Sequence, residues 1–442
     1  MRTSAKFRIS IGVLAATTVG ALGAGCDWRT FDDLQNQAPV LRVDPPSGFP
    51  SSSDFGSVLL PVTPPADGSV AAWFLASATE QTGMALVKID AAGGASAQTL
   101  SGAALDNLGS NPVTAVAEIP GTGTALLGAP TSTFSTLLTV DLASQTLTPF
   151  VPSSQLTLNE SLLGVGVAAR NLAGGATPDL IVASSTSLHV FIDGSTADIA
   201  PGVADLAACP IALASGLPNN DRRTRGLVAG NLLASGPAIA LGTPGAAVPG
   251  SVSLFTATTT AVTCAGVLAA PATTDFGFGQ TLAIGDFDGD GVPDLLVGAP
   301  QLPQPHVYFY KGPVAPGAVP TATISAPPGS AEFGAALAAA NPDGKPADEA
   351  LIGDPGAVLG TQTGVGNAAL YTYGVATKTF TALGPVLTDH DASAGEAYGS
   401  AVGGLPFCAA PPCVAPPRLP LVGAPAKVFT YFTLVSTDPR AK

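Results

Sequence analysis

Four aspartates sit at positions 1, 3, 5 and 9 of one loop: Asp286, Asp288, Asp290 and Asp294, in the run FGQTLAIGDFDGDGVPDLLVGAP over 278–300. Crowded carboxylates repel one another, by ~1 kcal/mol for a pair about 4 Å apart even in bulk water. The loop therefore asks for a cation. Side-chain oxygens at those four positions, with the backbone carbonyl of Val292 at position 7, suit Ca²⁺, which takes about six to eight hard oxygen ligands. Gly289 and Gly291 permit the sharp turns that aim the side chains inward. An EF-hand needs a Glu at position 12; Val297 stands there, and no helical pattern flanks the loop. Short apolar runs, Leu282–Ile284 and Leu295–Val297, flank it instead, so the expected site is a calcium loop between two strands.

Other chemistry-bearing residues are sparse. His189 and His306 lie in strand-like runs. His390 stands between Asp389 and Asp391, whose charges favour a protonated ring and offer oxygen ligands beside it. A second polar group, Asp221, Arg222, Arg223 and Arg225, forms a compact basic cluster suited to an anionic partner. These two groups are the candidate ligand contacts, with a solvated loop as the competing reading for each. No Gly-x-Ser-x-Gly elbow, Walker Gly-Lys-Ser/Thr or His-Glu-x-x-His occurs. No catalytic residue is assigned, and the expectation is that the protein is not an enzyme.

The elements that must position these residues are short and numerous. The 442 residues include 52 Gly and 41 Pro, with 46% hydrophobic and only 11% charged residues, a composition of short strands and tight turns. Beyond the N-terminus no apolar run approaches the ~18 residues of a membrane-spanning helix. Residues 1–25 read as a signal peptide: Arg2, Lys6 and Arg8, an apolar stretch from Ile9 to Leu22, then small residues before Cys26. Leu22-Gly-Ala-Gly-Cys26 resembles a bacterial lipobox, although the usual Leu stands one position nearer the Cys, where this chain has Gly23. The resemblance implies lipidation of Cys26, a tether over 26–38, and an exported protein lipid-anchored to the bacterial envelope on a periplasmic or surface face of the outer membrane. Ordinary secretion with cleavage elsewhere is the alternative. The formal net charge of −14 becomes more negative once a leader with three basic residues is removed, which argues against nucleic-acid binding.

With Cys26 assigned to lipid, Cys209, Cys264, Cys408 and Cys413 remain. An even number in an exported chain favours disulfides. Three pairings are formally possible. Cys408 and Cys413 close a short Pro-rich loop and are expected to pair, which leaves Cys209 for Cys264.

The tail of the opening stretch recurs along the chain. It appears as LLGAP (126–130), ALGTP (240–244), LVGAP (296–300), LIGDP (351–355) and LVGAP (421–425), with weaker copies WFLAS (73–77) and LIVAS (180–184). The seven markers are spaced by about 55 residues, the last step being longer. In phase with them, an aromatic residue or Leu followed by Gly precedes the marker at Phe55, Leu108, Leu163, Phe278, Phe333 and Tyr398. In the fourth copy Arg223-Thr224 stands in its place. Two further strand-like runs follow most markers, so each unit is four strands. A four-stranded meander cannot bury both faces alone, and radial stacking of such units gives a propeller. The expected fold is all-β: a seven-bladed β-propeller over 39–442. The strand-like run Val40–Asp44 is expected to close the last blade, leaving no sheet edge exposed there.

At Phe-Gly, Gly-Ala-Pro and the Asp loop between them, the sequence resembles the FG-GAP repeat family, which includes the propellers of integrin alpha subunits and many bacterial surface proteins. The resemblance covers about residues 40–435, and the fifth copy carries the full motif. It implies that the Asp loop joins the first and second strands of its blade and binds Ca²⁺ through Asp286, Asp288, Asp290, the Val292 carbonyl and Asp294. The sixth copy has Asn341, Asp343, Lys345 and Glu349 at those places, with an ammonium where a ligand oxygen is wanted. One calcium ion is expected, and the second site reads as degenerate.

The function that follows is a calcium-stabilised, membrane-anchored recognition module for a protein or glycan, touching the membrane only through its lipid. Ligands of propellers commonly meet the face carrying interblade loops, opposite the calcium loops. The alternatives are a propeller enzyme acting on extracellular polysaccharide and a structural surface component without a discrete ligand.

Overall fold

The computed structural model describes residues 40–432 apart from 51–53, 66–67, 79–81, 109–110, 131–135, 151–161, 200–207, 212–225, 246–247, 302, 390, 392 and 409–414. The seven repeats form seven antiparallel sheets, and these are the blades of a seven-bladed β-propeller. The innermost strands are Val58–Val62, Ala115–Ile119, Gly166–Arg170, Leu227–Leu233, Thr281–Gly285, Ala336–Ala340 and Ala401–Pro406. Each contacts the innermost strand of the next blade, and the last contacts the first, so the ring is closed. Six sheets contain four strands. The third has three among the described residues, extended by a single bridge from Phe191 to Asp198, where the sequence pattern of its fourth strand is weakest.

Burial runs radially. Second strands such as Asp294–Ala299 and Glu349–Asp354 are buried along their whole length, because neighbouring blades cover both faces. Outer strands such as Ala95–Thr99 and Thr146–Phe150 are largely exposed and carry Ser and Thr. The innermost strands line a central channel of about 270 Å³ with small aliphatic side chains, Ser57, Thr114, Gln280 and Thr281 supplying its polar atoms.

The repeated motif has a physical purpose visible at five blade junctions, those of blades two and three, four and five, five and six, six and seven, and seven and one. Gly279, from the Phe-Gly of blade five, has φ +88° and donates its N–H to the carbonyl of Gly298, the marker glycine of the same blade, at 3.0 Å. Its own carbonyl lies against Gly242, the marker of blade four, so closely that any Cβ on Gly242 would overlap it. The preceding aromatic, Phe278, is fully buried between the two blades. Gly423 and Gly56 repeat this contact across the seam where blade seven meets blade one. The motif is therefore an interblade joint, and only glycine on both sides lets the backbones approach that far.

The seam is closed as expected. Val40–Val43 pairs with Lys427–Tyr431, Val40 opposite Tyr431 and Val43 opposite Val428, supplying the fourth strand of blade seven. Cys209 and Cys264 form a disulfide. Cys408 is disulfide-bonded too, and its expected partner Cys413 lies outside the described residues. The leader, Cys26 and the tether also lie outside them. No helix among the described residues is long and apolar enough to cross a membrane.

Candidate metal centre

The Asp loop of blade five spans the gap between Thr281–Gly285 and Asp294–Ala299, with Gly285 paired to Asp294 at its base. Phe287 anchors it, fully buried and edge-on to Phe309 at 6.3 Å. Gly289 and Gly291 take φ values of +74° and +82°, the turns read from the sequence. The loop then folds on its own amides. Asp286 accepts from the N–H groups of Asp290 (3.0 Å) and Gly291 (2.8 Å), and Asp290 accepts from Val292 N–H (2.8 Å). Asp294 accepts from Phe287 N–H (2.9 Å) and Gly312 N–H (2.7 Å).

One carboxylate oxygen from each of Asp286, Asp288 and Asp294 lies within 4.8 Å of the other two. Asp290 turns instead toward Lys311, whose Nζ is 2.7 Å from its Oδ2 and also contacts Asp288. Burial pushes the Asp294 carboxyl up to about 7, and the charge of Asp288 adds to the rise against the three backbone amides, of Gly312, Phe287 and Asp288, that lower it. Lys311 holds Asp290 below the usual carboxylate range. A buried acid crowded by a second and a third is the electrostatic problem that a hard divalent cation solves, and the donors are all oxygens. The residues present fit a metal ion.

Loop six keeps the frame but changes the charges. Lys345 Nζ is 2.6 Å from Asp343 Oδ2, and Asn341 Nδ2 donates to the Lys345 carbonyl at 2.7 Å. Glu349 is buried, and burial first, then the charges of Asp343 and Asp348, push its carboxyl up to about 7. In loop three, Asp179 accepts from Leu172 N–H (2.7 Å) and Asp193 N–H (2.8 Å), so a lone position-9 acid braces that turn by hydrogen bonds alone.

Of the other candidate contacts, Asp221, Arg222, Arg223, Arg225 and His390 lie outside the described residues. Asp389 is buried, with Lys427 Nζ at 2.6 Å, and the same ammonium reaches Glu396 at 2.6 Å. That carboxylate is committed to an internal ion pair rather than presented to a ligand. Asp391 donates its N–H to Asp389 at 3.0 Å. Sequence reasoning did not find Lys311, Asp348 or Arg418. Asp348 exchanges backbone and side-chain hydrogen bonds with Asp286, and its Oδ1 accepts from Arg418 of blade seven. Only the strand register and the blade order bring these residues together, and neither leaves a local signal.

Residues 278–319 match the model of the FG-GAP repeat, the segment that holds the whole Asp loop and Lys311. No curated protein matches the chain. A solved structure described as "Structure of Dos1 propeller" is similar at 10% identity, covering 83% of this chain and 76% of that one, with a TM-score of 0.45.

Proposed function

We propose that this propeller is a calcium-stabilised extracytoplasmic recognition module, lipid-anchored through Cys26 and binding a protein or glycan. The observation that supports it most is the distribution of charge. The central channel is lined by small aliphatic and neutral polar residues, while the convergent carboxylates sit in a turn and bond to its amides. Asp286, Asp288, Asp290, the Val292 carbonyl and Asp294 would hold Ca²⁺, which supplies charge neutralisation there. The carboxylates are then structural, and no acid–base pair faces the channel among the described residues. A screen of the protein against glycans and surface proteins, with calcium and with chelator, tests the reading. Saturable, calcium-dependent binding is the expected result. Turnover of a polysaccharide in the same screen would replace recognition with catalysis.

A further inference from the structure

A cleft of about 540 Å³ opens on the calcium-loop face, between the fifth, sixth and seventh blades. Its size is that of small-molecule sites, roughly 300–1,000 Å³. Four proline rings, Pro346, Pro406, Pro416 and Pro417, form rigid aliphatic walls. Asp286, Asp348, Lys345 and Arg418 supply its charges.

The charges are not equally available. Both oxygens of Asp348 are taken, one by Arg418 and the other by Asp286 N–H at 3.0 Å. Asp286 carries the two loop amides already described. Arg418, by contrast, spends one Nη on Asp348 and keeps further N–H donors, with its side chain 35% exposed. Lys345 is 73% exposed and holds a single partner, Asp343. Among the cleft's charged groups the unspent hydrogen-bonding capacity is thus cationic, and it suits an anion; Asn341 Oδ1, an acceptor without a partner, is itself buried.

The main chain excludes an extended peptide as the natural occupant. Asn341 and Arg418 exchange backbone hydrogen bonds at 2.8 and 3.1 Å, and Asp348 N–H donates to the Asp286 carbonyl at 2.7 Å. Their donors are spent, so they present no strand edge for a peptide to extend. A ligand here is read by side chains and by contact with flat proline faces, which suits the C–H face of a sugar ring. A guanidinium fork matches a carboxylate.

We propose that this cleft binds an acidic saccharide, with Arg418 and Lys345 holding its carboxylate and the prolines packing against its ring. The site rests on the recognition reading above and names its ligand class, but it lies on the calcium-loop face rather than on the opposite face expected from the sequence. The net charge of −14 is largely screened beyond a Debye length of ~8 Å at physiological salt, so the ligand meets the local cations.

Calorimetric titration of the full chain in calcium with short galacturonate and glucuronate oligomers, and with their carboxyl-reduced counterparts, tests this. The acidic oligomers are expected to saturate the protein and the neutral ones to leave no heat. Asp348→Asn combined with Arg418→Gln keeps a hydrogen-bonded pair while removing the guanidinium, and should weaken binding by about tenfold or more. Lys345→Gln, at an exposed position, should weaken it by about threefold. Equal binding of acidic and neutral oligomers, or preference for a peptide ending in a free carboxylate, overturns the assignment. Binding of any screened ligand that survives the double variant unchanged sinks the cleft and leaves the recognition reading standing. No binder in either experiment sinks both.

Discussion

Loops five and six join equivalent strands and end on equivalent buried acids, Asp294 and Glu349, yet they balance their charges differently. In loop five, three carboxylates converge and the nearest ammonium, Lys311, reaches in from the third strand. Leu295 pairs with Tyr310 and Ala350 with Tyr371, so the residue matching Lys311 in blade six is Thr372. Blade six instead carries its ammonium inside the loop, at Lys345 on Asp343. The comparison teaches that the two turns draw their ammonium from different places, loop five from the end of the third strand and loop six from position 5 of the loop itself.

The largest effect expected from that contrast is calcium dependence confined to blade five. At a hundredfold excess over its Kd, a ligand of the folded state adds ~2.7 kcal/mol. Calcium should therefore raise the melting temperature of the wild type, and Asp288→Ala should abolish most of the effect. Equal chelator sensitivity in wild type and variant would remove the metal from this loop. Next in size, Lys345→Asp gives loop six an oxygen at position 5 beside Asn341, Asp343 and Glu349. Calorimetry should then count two calcium ions where the wild type takes one; an unchanged count would mean that Asn341 or Glu349 disqualifies the loop independently.

A smaller effect separates the two ammonium groups. Lys311 must leave Asp288 and Asp290 when a metal binds; its own side chain and that of Asp290 are exposed enough for a weak pair, while the Asp288 side chain is buried. Lys311→Met should tighten calcium by about fivefold, since exposed pairs contribute roughly 0.2–1 kcal/mol. It should also lower the melting temperature of the metal-free protein. Looser calcium binding in this variant would show that Lys311 supports the site rather than competing for it.

The parts legible in the sequence are those written locally and repeatedly. Phe278-Gly279 and Gly298 recur because five of the blade junctions make the same close backbone approach, and Val40–Val43 closes the ring by pairing with Lys427–Tyr431. The Asp loop was legible because its side chains and turns lie within one segment. Lys311 was not, since its approach to Asp288 depends on the third strand running back beside the loop. Arg418 reaches Asp348 across 70 residues, a contact that exists only because blade seven follows blade six around the ring. Asp389 reads in the sequence as a loop acid, and only the packing of blade seven beside it brings Lys427 into an ion pair with it.

The smallest effect isolates Glu349, the acid that no metal is expected to neutralise. Its carboxyl is pushed from 4.5 up to about 7, by burial first and then by Asp343 and Asp348. The folded state therefore holds this proton more tightly than the unfolded chain, so ∂ΔG/∂pH is negative between the two values. The contribution is fully present below about 4.5 and is lost as pH rises through about 7. Glu349→Gln keeps the shape and cannot ionise. Denaturant melts of the two proteins in chelator should nearly coincide at low pH, and the variant should become the more stable one toward pH 8, as about one ionisable group predicts. A gap that stays constant across this range would mean that Lys345, although paired to Asp343, also neutralises Glu349, and loop six would then resemble a filled site rather than an empty one.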